Sequence, residues 1–138
     1  MSAITITFTE QDKLTLRTAA YGAISLLAAA DAAGSPHKIA TQGSIALASA
    51  TGPVGYVLAE KSKIGDLGGT SVAELADNVF PALTAATALL EKQDPAQADN
   101  FRGIITIALE TAAQARKGGP SPTMTDMSHK ITAALDAA

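Results

Sequence analysis

Residues 39 to 59, IATQGSIALASATGPVGYVLA, run from Lys38 to Glu60 without a charge. A stretch of that length approaches what a bilayer crossing needs, so the chain must either span a membrane there or bury the segment within its own fold. Its polar positions are Thr, Gln, Ser and Gly, and Gly52-Pro53 with nearby Gly55 divides it into pieces too short to cross separately. The pattern therefore predicts two consecutive helices buried in a bundle and no membrane partner.

The same helical periodicity extends along the chain. TEQD offers Thr9 as a cap for the exposed amides of a first turn, with Glu10 and Asp12 favourable to the helix dipole. Leu14, Arg17, Tyr21, Ile24, Leu27 and Asp31 then fall on one stripe flanked by alanines, which predicts a helix to about Ala33. Gly34-Ser35-Pro36 ends it and starts the next, from His37 to about Ala50. A short helix through Tyr56 and Leu58 follows, then the loop KSKIGDLGGTS.

In SVAE, Ser71 and Glu74 make a capping box. The helix it opens has the apolar stripe Val72, Leu75, Ala76, Val79, Phe80, Leu83, Ala86 and Leu90, with Thr87 at its edge and a kink expected at Pro81. KQDPAQAD turns into an antiparallel neighbour running from Pro95 to about Lys117. Phe101, Ile104, Ile105, Ile107, Ala108, Leu109 and Ala112 make that helix apolar around most of its surface, so it is expected to be the central one. Gly118-Gly119-Pro120 closes it, and a last helix from about Thr125 buries Met127, Ile131 and Leu135.

Before the first helix, ITITF alternates Ile4, Ile6 and Phe8 with threonines, the period of a short half-buried strand. No second such run exists to pair with it, so residues 1–9 are expected as an extended arm that lies on the bundle or pairs with the same edge of another copy. With 138 residues, 47% of them hydrophobic, the expectation is an all-α, single-domain bundle of five or six helices over residues 1–138, carrying this arm and forming a homodimer.

A net charge of −3 gives no global attraction to nucleic acid or to an anionic surface. The absence of cysteine removes disulfides, thiolate chemistry and cysteine-based metal sites, and the opening residues show no basic region followed by an apolar run. A cytoplasmic location is expected.

The only two histidines, His37 and His129, both open the phrase His-Lys-Ile. Laying Arg17 on Arg102 also lays Gly34 on Gly119, which suggests a duplicated helix-turn-helix unit, although the second copy carries about seven extra residues, roughly two turns, before its histidine. His37 and His129 are the candidate metal ligands, with Asp31 or Asp126 as carboxylate partners. Against this, the Glu-x-x-His pairs of di-iron bundles are missing. The plainer expectation places both histidines near helix N-termini, on or near the surface.

Four residues stand out as charged or polar on apolar faces. Arg17 lies one turn from Tyr21, while Glu110 interrupts the surface around Ile107 and Leu109 two turns after Arg102. A buried charge needs a partner, so Arg-Glu or Tyr-Glu contacts among Arg17, Tyr21, Arg102 and Glu110 are expected, either as a structural lock or as the polar end of a ligand pocket. GDLGGTS lacks the strand and the Gly-Lys pattern of a phosphate loop, and no cofactor fingerprint, nucleophile–base pair or family signature is present. The sequence thus points to a protein that acts through self-association without catalysis, the alternative being a bundle that binds a small molecule or metal.

Overall fold

Four of the helices described begin where a side chain meets the unpaired amides of a first turn. In the computed structural model, which describes residues 8–30, 36–60, 71–116 and 118–138, Thr9 Oγ1 accepts from the Asp12 amide at 3.0 Å and Asp12 Oδ2 accepts from the Thr9 amide at 3.1 Å. This reciprocal box opens α1, Glu10–Ala30. Ser71 likewise accepts from the Glu74 amide to open α4, Val72–Gln93. Asp94 closes α4 and caps α5, Pro95–Gln114, where Pro95 fits the first turn because no partner exists there for the amide it lacks.

The uncharged stretch divides as its sequence demands. α2 covers Pro36–Ala48 and α3 covers Gly52–Ala59, with Gly52 at φ +85° making the turn between them. No helix among the described residues is long and apolar enough to cross a membrane. α6, Pro122–Asp136, starts one turn before the expected Thr125, because Ser121 Oγ accepts from the Met124 amide and Pro122 takes a first-turn position. α5 in turn stops short of Lys117: the Ala115 and Arg116 amides reach back only three residues, to Ala112 and Ala113, and two left-handed glycines follow.

The described residues form six helices and no strand, packed into one bundle. Ile4 and Ile6 of the expected arm lie outside the described residues; Phe8 packs half-buried against the core. Asp31 and Gly34 also lie outside them, as do residues 61–70 with the glycine-rich loop.

Both α1 and α5 touch every other helix, so the centre of the bundle is shared rather than held by α5 alone. α1 is buried around most of its circumference: Leu16 and Leu26 are as inaccessible as Ile24 and Leu27, and Ala19, Ala20 and Ala23 fill the spaces between. α5 buries Phe101, Ile104, Ile105, Ala108, Leu109 and Ala112, but Ile107 is 62% exposed on an outward face. α4 continues as one helix through the exposed Pro81. Thr87 is fully buried with its hydroxyl donated to the Leu83 carbonyl, and Thr84 donates to Ala134 of α6 at 2.7 Å.

α1 and α2 meet at Gly43. A Cβ there would lie 2.7 Å from Ile24 Cγ2, 2.9 Å from Ile24 Cδ1 and 3.2 Å from Ala112 Cβ, and Ile24 is itself buried. Gly43→Ala is expected to cost a net 1 to 2 kcal/mol or so, the overpacking outweighing the roughly 1 kcal/mol gain in helix propensity. Urea unfolding should show a lower midpoint at an unchanged denaturant slope.

Candidate functional site

A helix of eight residues is too short to be stable alone, so α3 must be held by its surroundings. Its N-terminal half is pressed onto the preceding turn, where a Cβ on Gly55 would fall 2.5 Å from both the carbonyl carbon and the oxygen of Ala50. Its C-terminal half buries Val57 and Leu58 at the end of the helix, where carbonyls run short of partners: Val57 O accepts from the Glu60 amide at 3.3 Å, three residues on, and has room for a second donor. α1 supplies the donors. Arg17 Nε donates to Val57 O at 3.3 Å, Tyr21 Oη donates to Leu58 O at 2.7 Å, and Arg17 Nη2 pairs with Glu60 Oε2 at 2.9 Å. Lys13 Nζ stands 3.9 Å from the other Glu60 oxygen.

Lys13, Arg17 and Tyr21 are spaced one turn apart and so form a single polar edge along α1. Arg17 is 3% exposed, whereas the Glu60 side chain is 43% exposed. Burial raises the Tyr21 phenol above its ordinary value of 10.0, and the positive Arg17 beside it offsets only part of that rise.

Next to this lock, α1, α2 and the end of α3 enclose an open groove of about 720 Å³. Ile24, Ala40, Ile45, Ala48 and Ala59 give it apolar walls; Tyr21, Ser25, His37, Thr41, Ser44 and Glu60 line the rest. The Thr41 hydroxyl is donated to the His37 carbonyl at 2.8 Å, so its hydrogen is engaged within α2.

The structure therefore sets two of the candidate residues, Tyr21 and His37, on one groove, with Arg17 bound to the Glu60 that also lines it. Arg102 lies elsewhere. It ties three helices together by pairing with Glu91 of α4 and Asp99 of its own helix at 3.0 Å each, with Asp136 of α6 at 3.6 Å from Nε. The two arginines thus have unlike partners, and the proposed duplication finds no support in them.

Glu110 faces solvent on α5. His129 is exposed in the middle of α6 rather than near its start, on a helix that does not touch α2 and its His37. Asp126 beside it pairs with Lys130 at 3.2 Å. Among the described residues no three His, Asp or Glu side chains converge as a metal cluster.

Sequence reasoning missed Glu60, the acceptor that completes the Arg17 lock. The available signal was its position: it is the first charge after the uncharged run, immediately past the end of α3. Comparison with known protein families, with curated proteins and with solved structures finds no match to this chain.

Arg17→Ala is expected to lower stability by about 2 to 3 kcal/mol, since it removes two charge-assisted hydrogen bonds and a buried aliphatic stem. Glu60→Gln, at a half-exposed position, should cost less than about 1 kcal/mol. Both follow from chemical denaturation. Tyr21 adds a pH dependence: its folded pKa is raised, so the associated stability is complete below about pH 10 and is lost as pH rises through the folded value. Ultraviolet titration should show a phenolate component above 10.0 that Tyr21→Phe removes.

Proposed function

We propose that this protein is a non-catalytic binding module whose α1–α2–α3 groove holds a small amphipathic molecule with an amine-type head. The observation that carries this reading is the union of an apolar trough with a half-exposed carboxylate at one end. Ala40, Ile45 and Ala48 offer an aliphatic body a surface to bury. One Glu60 oxygen is engaged by Arg17 at 2.9 Å, while the other, with Lys13 at 3.9 Å as its partner among the described residues, keeps acceptor capacity for a ligand N–H.

Binding rather than turnover suits the other polar groups. Arg17 Nε and the Tyr21 hydroxyl donate to the α3 carbonyls and Arg17 Nη2 to Glu60, so these groups hold the wall of the groove in place. His37 supplies a further polar contact on the lining from the first turn of α2. A cytoplasmic setting accords with a chain that has no cysteine.

The chain has no tryptophan, so Ser44→Trp places a single fluorescent reporter on the groove. Titration with n-octylamine is expected to shift its emission saturably. Octanoate, whose carboxylate opposes Glu60, should bind about tenfold more weakly, and Glu60→Gln should erase most of that preference. A response that rises linearly without saturation for both amphiphiles, or equal binding of the two, would overturn the assignment.

A further inference from the structure

On the other side of α2 lies a surface that the groove does not use. α5 presents an outward stripe made of Ala96, Asn100, Gly103, Ile107, Glu110 and Gln114, spaced alternately by four and three residues. That spacing is the seam of a helix that packs lengthwise on another helix. Within the stripe, Ile107 is a large aliphatic side chain held 62% in water. Gly103, one turn earlier, sits in the interior of a helix where glycine is unfavourable, and a Cβ placed on it would meet nothing within 4 Å. The monomer therefore has no packing need for that glycine, although its fold carries the cost.

We infer that this stripe is a homodimer interface in which a second copy of the chain packs its α5 antiparallel on the first. The stripe is complementary to its own reverse. Turned about a two-fold axis through the level of Ile105, it sets Ile107 opposite the partner's Gly103, Asn100 opposite the partner's Glu110, and Ala96 opposite the partner's Gln114. Each pair joins a small or hydrogen-bond-donating residue from the first half of α5 to a larger or accepting residue from the second.

In this register the Ile107 side chain of the second copy enters a hollow of about 460 Å³ between α2 and α5, floored by Gly103 and Ile104, flanked by Ala46 and Ala50, and bordered by Asp99. Asn100 donates one amide hydrogen to Thr51 O at 3.4 Å, which leaves its second hydrogen for the facing carboxylate. No carboxylate of the stripe faces another in this register. A parallel arrangement would set Glu110 against Glu110 and Ile107 against Ile107, leaving the hollow at Gly103 unfilled.

Sedimentation equilibrium of the full chain at tens of micromolar should give twice the 13.9 kDa chain mass. Ile107→Asp should weaken association at least a hundredfold while leaving the circular dichroism spectrum unchanged. Gly103→Leu should weaken it at least tenfold, and Gly103→Ala should raise the urea midpoint of the monomer while loosening the dimer. Because the chain lacks cysteine, a direct test of register is clean: Gly103→Cys and Ile107→Cys proteins, mixed and oxidised, should cross-link to each other in preference to themselves. A monomer at every concentration, a dimer indifferent to Ile107→Asp, or preferential self-cross-linking of either cysteine variant would each overturn the inference. Octylamine binding by the groove is read separately and does not enter these outcomes.

Discussion

A guanidinium buried to 3% exposure must find its acceptors inside the protein, and the end of a helix is one of the few places where unpaired carbonyls are concentrated. Arg17 and the C-terminus of α3 answer one another's needs. The helix end gains donors and a positive charge at the negative end of its dipole, and the arginine gains the Val57 carbonyl together with Glu60. Because Glu60 keeps much of its side chain in water, the pair avoids the desolvation that makes fully buried ion pairs so costly. Tyr21 completes the attachment at the adjacent Leu58 carbonyl, and α3 acquires a position that eight residues could not hold by propensity alone.

The shape of the groove follows from this attachment and from the small residues facing it. Ala59 and Glu60, at the end of the tethered helix, form one wall, which Tyr21 joins to the wall made by α1. α2 closes on α1 at Gly43, where the absent side chain lets Ile24 come into contact. On the exposed side of the same helix, Ala40, Ser44 and Ala48 recur one turn apart with short side chains, so the trough stays open. A chain rich in alanine obtains concavity simply because alanine fills less space than the residues around it.

Much of this fold is legible in the sequence because local chemistry sets helix boundaries. Thr9, Ser71 and the Asp94-Pro95 step act where the capping patterns place them, and Gly52-Pro53 divides the uncharged run. The start of α6 was harder to see, since Ser121-Pro122 follows the glycines of a turn and reads as its continuation. The buried face of α1 was underestimated for a different reason: a helix enclosed on most sides has no single stripe, so Leu16 and Leu26 fall outside the period drawn through Ile24. At the site, Arg17 and Tyr21 were visible as polar interruptions of an apolar face. Glu60 was not, because their contact joins positions 43 residues apart and no periodicity encodes it. Glu110 drew attention through the apolar residues around it, but one of these, Ile107, is itself on the outside.

Both proposed surfaces share a wall, and the packing of that wall bears on whether they act together. α2 shows Ile45 and Ala48 to the groove and Ala46 to the hollow beside α5, which Ala50 of the following turn also lines. At its centre, Gly43 is pressed between Ile24 of α1 and Ala112 of α5, so the helix is fixed against both neighbours at one point. A shift of α2 toward either surface would push its backbone into one of these side chains or open a void against the other, and a close-packed interior resists both. Energetic coupling between two sites requires an element with two discrete resting positions. The close approach of Ile24 and Ala112 at Gly43 opposes a second position for α2. The geometry therefore favours two surfaces that share a helix yet act independently, with α2 serving as a rigid partition between them.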